Sequence, residues 1–186
     1  MKSGIEYILL GIIGLIVLWA IVTYNGLVRL KNLVKEGWSG IDVQLKRRHD
    51  LIPNLIETVK GYKGYEEKVL TEVTKLRAQS DATNDVKEKS QIESLLAGRI
   101  ASILATAENY PDLKASESFV NLQKNLSDIE EQIQLARRYY NGTARELNTK
   151  VQSFPSMIIA NICNFKSVDY FEITDNSERA VPQVKF

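Results

Sequence analysis

Cysteine and histidine are almost absent from this sequence of 186 residues, which contains one of each. The lone Cys163 excludes an internal disulfide, so packing alone must hold the fold together. The lone His49 cannot supply a multi-histidine metal site, and Cys163 has no C-x-x-C partner. Phosphate-binding glycine loops, Rossmann glycine patterns and G-x-S-x-G elbows are also missing. We therefore expect a protein that is not an enzyme and that holds no metal and no cofactor.

One catalytic arrangement stays open on residue types alone, a nucleophilic pair of Cys163 with His49. No motif supports it, and a packed or surface role is the more frequent one for each residue. The acidic run 128–131 is more typical of a solvated helix face than of a ligand set. An enzyme of unrecognised type remains an alternative on these grounds.

Charged side chains are missing from Tyr7 to Val28, and these 22 residues are mostly apolar. As a helix they would measure about 33 Å, close to the hydrocarbon thickness of a bilayer. A cleaved signal peptide is the rival interpretation, but the apolar run exceeds an ordinary signal core and no A-x-A-like site follows it. We predict a transmembrane helix over residues 7–24, preceded by a short stub over residues 1–6.

Positive charge is concentrated next to this segment. Residues 25–63 carry eight Lys and Arg against four acids, whereas the whole chain has a net charge of only +1. This pattern suits an anionic membrane surface and gives no reason to expect nucleic acid as a partner. We expect Arg29, Lys31 and Lys35 to contact lipid headgroups. By the positive-inside rule the N-terminus lies outside the cell membrane and the C-terminal domain is cytoplasmic.

Beyond the anchor, apolar residues recur every three or four positions, which is typical of amphipathic helices. The first stripe predicts that the transmembrane helix continues into water, with a kink at Pro53. Further helices are predicted over Tyr65–Gln79 and Asp85–Glu108, with a turn over residues 80–84. The members of the first stripe are Leu27, Leu30, Val34, Trp38, Ile41 and Leu45.

The longest periodic stretch extends from Phe119 to Val151. Only partner helices along its whole length can bury such a stripe, so the sequence predicts an all-α fold. We expect one N-terminal transmembrane helix followed by a long antiparallel up-and-down bundle of four helices with coiled-coil-like packing. The bundle is predicted over residues 25–165, and an irregular tail containing a brief β-like run over residues 166–186.

Two sequence blocks resemble the LemA family. The first extends from Tyr24 to Tyr62 and contains IDVQLKRRHDLIPNL. The second contains ENYPDLKA and continues to Tyr140-Asn141. The resemblance covers about residues 20–165. It implies a bacterial membrane protein with one N-terminal span, a four-helix bundle and no assigned enzymatic activity. Genes of the family often lie beside genes for membrane metalloproteases or TPM-domain proteins, which makes such a protein a possible partner.

Residues 38–53 mix apolar and charged side chains more densely than core packing alone requires. One interpretation is a protein contact surface on a membrane-anchored scaffold, made of Trp38, Asp42, Lys46, Arg47, Arg48 and Asp50. The other is intramolecular, with Asp42 pairing to Lys46 at helical spacing and Arg47 or Asp50 bonding across helices. A lipid-surface or membrane-organising role is the alternative to the scaffold.

Overall fold

The computed structural model describes residues 2–62 and 67–172, and every regular element within these ranges is an α-helix. The predicted all-α bundle with one long apolar N-terminal helix is confirmed. Four helices are long and two are short. Their bounds are α1 Lys2–Lys60, α2 Glu67–Ala82, α3 Val86–Ala107, α4 Pro111–Lys114, α5 Glu117–Gln152 and α6 Ser156–Ile162.

Helix α1 has 59 residues and contains Pro53 without a reversal of the chain. Its N-terminal part holds an 18-residue window with a mean hydropathy of 2.5, and none of that window is buried. The described residues thus contain one helix that is long and apolar enough to span a membrane. The divisions predicted at residues 6, 24 and 165 remain predictions.

The chain divides into two compact units. Of the described residues, unit 1 contains those up to Ser39 together with Arg138–Asp169, and unit 2 contains Gly40–Arg137 and residues 170–172. The boundaries fall inside α1 and inside α5.

Unit 2 is the four-helix part, built from the second half of α1, from α2 and α3, and from the first half of α5. Parts of the predicted apolar stripes are buried in it, including Ile41 and Leu45 of α1 and the stretch of α5 that begins at Phe119. The largest cluster of buried apolar residues joins α1 to α5 through members such as Ile52, Leu55, Val73, Leu96, Ile103, Phe119, Leu122 and Leu126.

In unit 2 one helix end lies three residues beyond the predicted one, and one short helix was not predicted. Helix α2 continues to Ala82, so the predicted turn over residues 80–84 starts later. The Ser80 hydroxyl is buried and donates to Glu93, which explains why this serine belongs to the packed helix. Asp85 is the N-cap of α3, and its carboxylate accepts from the Glu88 N–H at 2.8 Å. The one-turn helix α4, with Pro111 at its start, was not predicted.

Unit 1 packs the first half of α1 against the second half of α5 and against α6. At Gly37 a Cβ atom would lie 3.0 Å from the Tyr140 Cα, so this glycine permits a close approach of the two helices. The chain after α6 is tied to α5 by Asn148, whose side chain forms hydrogen bonds of 2.9 and 2.8 Å with the backbone of Val168. Residues 165–172 form no helix or strand, and the predicted β-like run ends outside the described residues.

Candidate functional site

The interior of unit 2 contains a cluster of charged side chains around Arg48. Arg48 is only 3% exposed, although it lies in the densest basic run of the sequence. Its Nη1 donates to Glu130 Oε2 at 2.7 Å, and its Nη2 donates to the Glu93 carboxylate and to the Glu93 backbone oxygen. This guanidinium therefore joins α1 to both α3 and α5.

His49 is buried beside Arg48 and lies between two carboxylates. Its Nδ1 is 2.9 Å from Asp81 Oδ1, and its Nε2 is 2.8 Å from Glu93 Oε1. Because neither acceptor carries a proton when ionised, both ring nitrogens must donate, which is the imidazolium form. Burial lowers the pKa of His49, but the hydrogen bonds and charges of Glu93 and Asp81 outweigh it and the pKa is raised.

Glu93 is the acceptor on which the cluster converges. Burial of its carboxylate opposes ionisation, but the hydrogen bond from His49 and the charge of Arg48 outweigh it and lower the pKa to about 2. The Ser80 hydroxyl donates to the same carboxylate. Glu93 is thus a buried anion with a full set of donors, which is the condition under which a buried charge is tolerated.

The chemistry available to this cluster is limited. Both nitrogens of His49 are engaged by carboxylates, so neither is left to activate Cys163 in the pair that the residue types left open. Cys163 itself is exposed in unit 1. Within residues 2–62 and 67–172, no group of three or more His, Cys, Asp and Glu side chains is arranged to hold a metal ion. The geometry is that of an ion network joining four helices.

The residues predicted for the contact surface divide into two sets. Asp42, Lys46, Arg47 and Asp50 are exposed on α1. Arg48 is in the interior, where it is not available to a partner. In unit 1, Trp38 is half-buried, with its ring 5.7 Å from that of Tyr140.

The intramolecular pairs differ from the expected ones. The Asp42 carboxylate accepts from Lys89 Nζ at 3.2 Å, across to α3, and no pair with Lys46 is formed in the described part of the chain. Arg47 donates to Gln44 on its own helix at 3.1 Å. The cross-helix bonds expected of Arg47 or Asp50 belong instead to Arg48. The reason is helical geometry, since a shift of one position moves a side chain by about 100° around the helix.

A polar groove of about 350 Å³ lies between α1 and α5 of unit 2. Arg47 and Asp50 line it from α1, and Asp128, from the acidic run, lines it from α5. The groove thus carries charges of both signs. The remaining lining residues are Leu51, Asn125, Ile129 and Gln132.

A larger cleft of about 500 Å³ is bordered by α1, α3 and α5 and lined at one point by Phe171. Its charged lining includes Arg48, Glu93 and Glu130, which already bond one another. Arg137 also lines it, with its guanidinium 5.6 Å from the Phe171 ring centre. The charged side chains of the cleft thus make contacts within the protein that stabilise the packing of its helices.

The residues predicted to contact lipid, Arg29, Lys31 and Lys35, are all exposed on α1 in unit 1. Lys31 Nζ also lies 5.7 Å above the ring of Phe165. Their exposure leaves them available to headgroups.

Sequence reasoning missed Glu93, Glu130, Asp81 and Ser80 as partners of the buried charges. One signal was present for Glu93. It stands on the apolar stripe of α3, three residues before Leu96 and seven before Ile100, where a carboxylate is unexpected unless it is paired. No comparable signal marks Asp81, which is exposed near the end of α2.

Known proteins with similar sequences include members of the LemA family and magnetosome proteins. The LemA family model matches residues 37–186. Protein LemA of Metamycoplasma hominis is 29% identical over 156 residues, which is 81% of this chain and 69% of that protein. Magnetosome protein MamQ of Magnetospirillum gryphiswaldense is 23% identical over 177 residues, covering 81% of this chain and 65% of that protein. The chain thus spans about two thirds of the length of these relatives.

Proposed function

Because the chain belongs to the LemA family, we propose that it is a membrane-anchored scaffold of the bacterial cell envelope, whose unit 2 binds a protein partner at the membrane. The observation that carries this proposal is the polar groove between α1 and α5. Arg47 and Asp50 were predicted as contact residues from the sequence, and they line this groove together with Asp128.

The groove suits a partner segment that carries charges of both signs. Opposite charges presented side by side fix the register of a bound segment and disfavour partners with the wrong charge pattern. Lys46 and Asp42 are exposed on the same helix and extend the charged surface along α1. The proposed contact surface is therefore Asp42, Lys46, Arg47 and Asp50. Of the predicted set, it leaves out the buried Arg48 and also Trp38, which is half-buried in unit 1.

A catalytic role is the weaker alternative because the ionisable groups in the interior are matched to one another. His49 has a carboxylate on each nitrogen, and the Ser80 hydroxyl donates to Glu93 and not to the histidine. A nucleophile needs a base within hydrogen-bond reach, and this histidine has no free nitrogen to act as one. The scaffold proposal uses the exposed charges and leaves the buried ones a structural role.

We propose further that the N-terminus is outside and the C-terminal domain cytoplasmic, as Arg29, Lys31 and Lys35 indicate. A protease added from outside provides a direct measurement. It should digest the C-terminal domain in inverted vesicles and leave it intact in whole cells. Digestion in whole cells would reverse the orientation.

The scaffold is tested with a photo-crosslinking amino acid in place of Lys46 in the full-length protein, irradiated in native membranes. We expect a defined crosslinked protein, such as a membrane protease or a TPM-domain protein. The reversal of both groove charges, Arg47→Glu with Asp50→Lys, should abolish that product. The matched control, Lys75→Glu with Glu108→Lys, changes two exposed charges outside the groove residues and should keep it. A product that survives the groove reversal, or no product at all, contradicts the proposal.

A further inference from the structure

The chain from Phe154 to Cys163 in unit 1 exposes large apolar side chains at high density. Phe154 is 79% exposed and Ile162 is 75% exposed, and Ile158 on the same helix is also exposed. The buried contact of α6 is made by Ala160. An apolar patch of this kind on a small unit indicates a surface that is covered in the working protein.

This apolar patch lies beside the end of the predicted membrane span. The ring of Phe165, just after α6, is 5.8 Å from the ring of Tyr24 on α1. The Lys150 ammonium, at the end of α5, reaches the position that a Cβ atom on Gly26 would occupy. The uncharged segment ends at Val28, so the chain on both sides of α6 lies next to the last turns of that segment.

Charge in this region also fits a lipid surface. Residues 151–168 contain no Asp or Glu and one basic residue, Lys166. Lys150 precedes them, and Arg29 and Lys31 lie on the neighbouring turns of α1. Apolar and aromatic side chains flanked by cations are the combination that inserts into the boundary between headgroups and acyl chains.

We propose that residues 154–163 form a second membrane contact, in which Phe154, Ile158 and Ile162 insert into the interfacial layer of the same bilayer that α1 spans. The occupant is the phospholipid surface, because the patch is continuous with the end of the span. This contact rests on the membrane anchorage of the chain and is independent of the protein partner. Unit 1 is then held to the bilayer at two places.

The test uses Cys163 as the natural reporter, since it is the only cysteine in the sequence and is exposed at the end of α6. The full-length protein is labelled there with an environment-sensitive fluorophore and placed, one copy per disc, in nanodiscs of phosphatidylethanolamine and phosphatidylglycerol. We expect blue-shifted emission and strong quenching by lipids that carry a spin label at a shallow acyl position. Water-like emission that these lipids do not quench would overturn the proposal.

In the triple variant Phe154→Ser, Ile158→Ser, Ile162→Ser, the quenching of the fluorophore by the spin-labelled lipids should fall several-fold. Helix α1 still anchors this variant in the disc. The matched control, Thr149→Ser with Asn161→Ser, alters exposed polar positions of the same region and should quench like the wild type. Shielded emission without lipid quenching would assign the patch to a protein surface and contradict a lipid contact. The crosslink from position 46 tests the protein partner of unit 2, and the quenching tests the lipid contact of residues 154–163. The absence of a crosslinked product would therefore not change the expected quenching, and each proposal can fail without the other.

Discussion

The two ends of helix α1 use apolar side chains in opposite ways. From Ile5 to Leu18 the large apolar side chains are exposed, whereas from Ile41 to Val59 the apolar stripe is buried in unit 2. Buried charge follows the same division, since Arg48 and His49 belong to the second half and no charged residue occurs from Tyr7 to Val28. Lipid offers a charged side chain no partner, but the neighbouring helices of unit 2 do. Whether a charged side chain is tolerated in a part of α1 thus depends on whether lipid or other helices surround that part.

The largest expected effect comes from removing the shared anion in the second half. Glu93→Ala leaves Arg48 and His49 buried with fewer acceptors, and we expect a loss of about 3–5 kcal/mol in the free energy of unfolding. Urea unfolding of the full-length protein in detergent micelles measures it. Glu72→Ala, which removes an exposed partner of Arg99 at 3.1 Å, should cost less than about 1 kcal/mol. Equal losses in the two variants would show that the buried ion network stabilises the fold no more than an exposed ion pair does.

The second prediction compares a leucine-to-alanine substitution at a buried and at an exposed position of α1. Leu55 is fully buried in the core of unit 2, and Leu55→Ala should cost about 2–5 kcal/mol because it leaves a cavity. Leu15 is exposed in the candidate span, and Leu15→Ala should change the same unfolding free energy by less than about 1 kcal/mol. The readout is urea unfolding followed by the circular dichroism of the helices. A comparable loss at Leu15 would mean that the candidate span itself is packed against protein.

The smallest effect is a pH dependence from the ion cluster. Glu93 has a pKa lowered to about 2, so its contribution is present above about pH 4.5 and is lost as the pH falls toward 2. His49 has a raised pKa, so its contribution is present below about pH 6.5 and is lost as the pH rises through its folded value. We expect a stability maximum between these limits, with roughly 1–3 kcal/mol lost on the acid side.

Thermal or urea unfolding between pH 2 and 9 measures this profile. His49→Gln keeps a polar side chain but cannot titrate, and it should remove the decline on the alkaline side. If stability still declined at alkaline pH in His49→Gln, the decline would come from another titrating side chain. The acid decline should be smaller in this variant but should remain, because the charge of Arg48 still favours the ionised form of Glu93.

Much of the fold was readable from periodicity. The stripe from Leu27 to Leu45 predicted the continuation of α1, and the stretch from Phe119 to Val151 predicted α5 within two residues at each end. Both predictions succeed because a helix that buries one face must repeat apolar residues every three or four positions. Helix ends were less readable, since the extension of α2 to Ala82 depends on the contact of Ser80 with Glu93.

The candidate site was readable only in part. The exposed charges of α1 follow from composition, and four of the six predicted contact residues are exposed. The inward position of Arg48 depends on partners 45 and 82 residues away in sequence, which no local pattern specifies. The apolar exposure of α6 was also missed, because a segment of seven helical residues is too short for its periodicity to indicate which face is covered.

The bond between Arg48 and Glu130 has a consequence for synthesis of the chain. Its two residues are 82 positions apart, so at about 5–20 residues per second the ribosome needs roughly 4–16 s to add Glu130 after Arg48. The apolar segment precedes both residues and leaves the ribosome before Glu130 is added. The nascent chain can therefore be inserted into the membrane before Glu130 completes the contacts of Arg48.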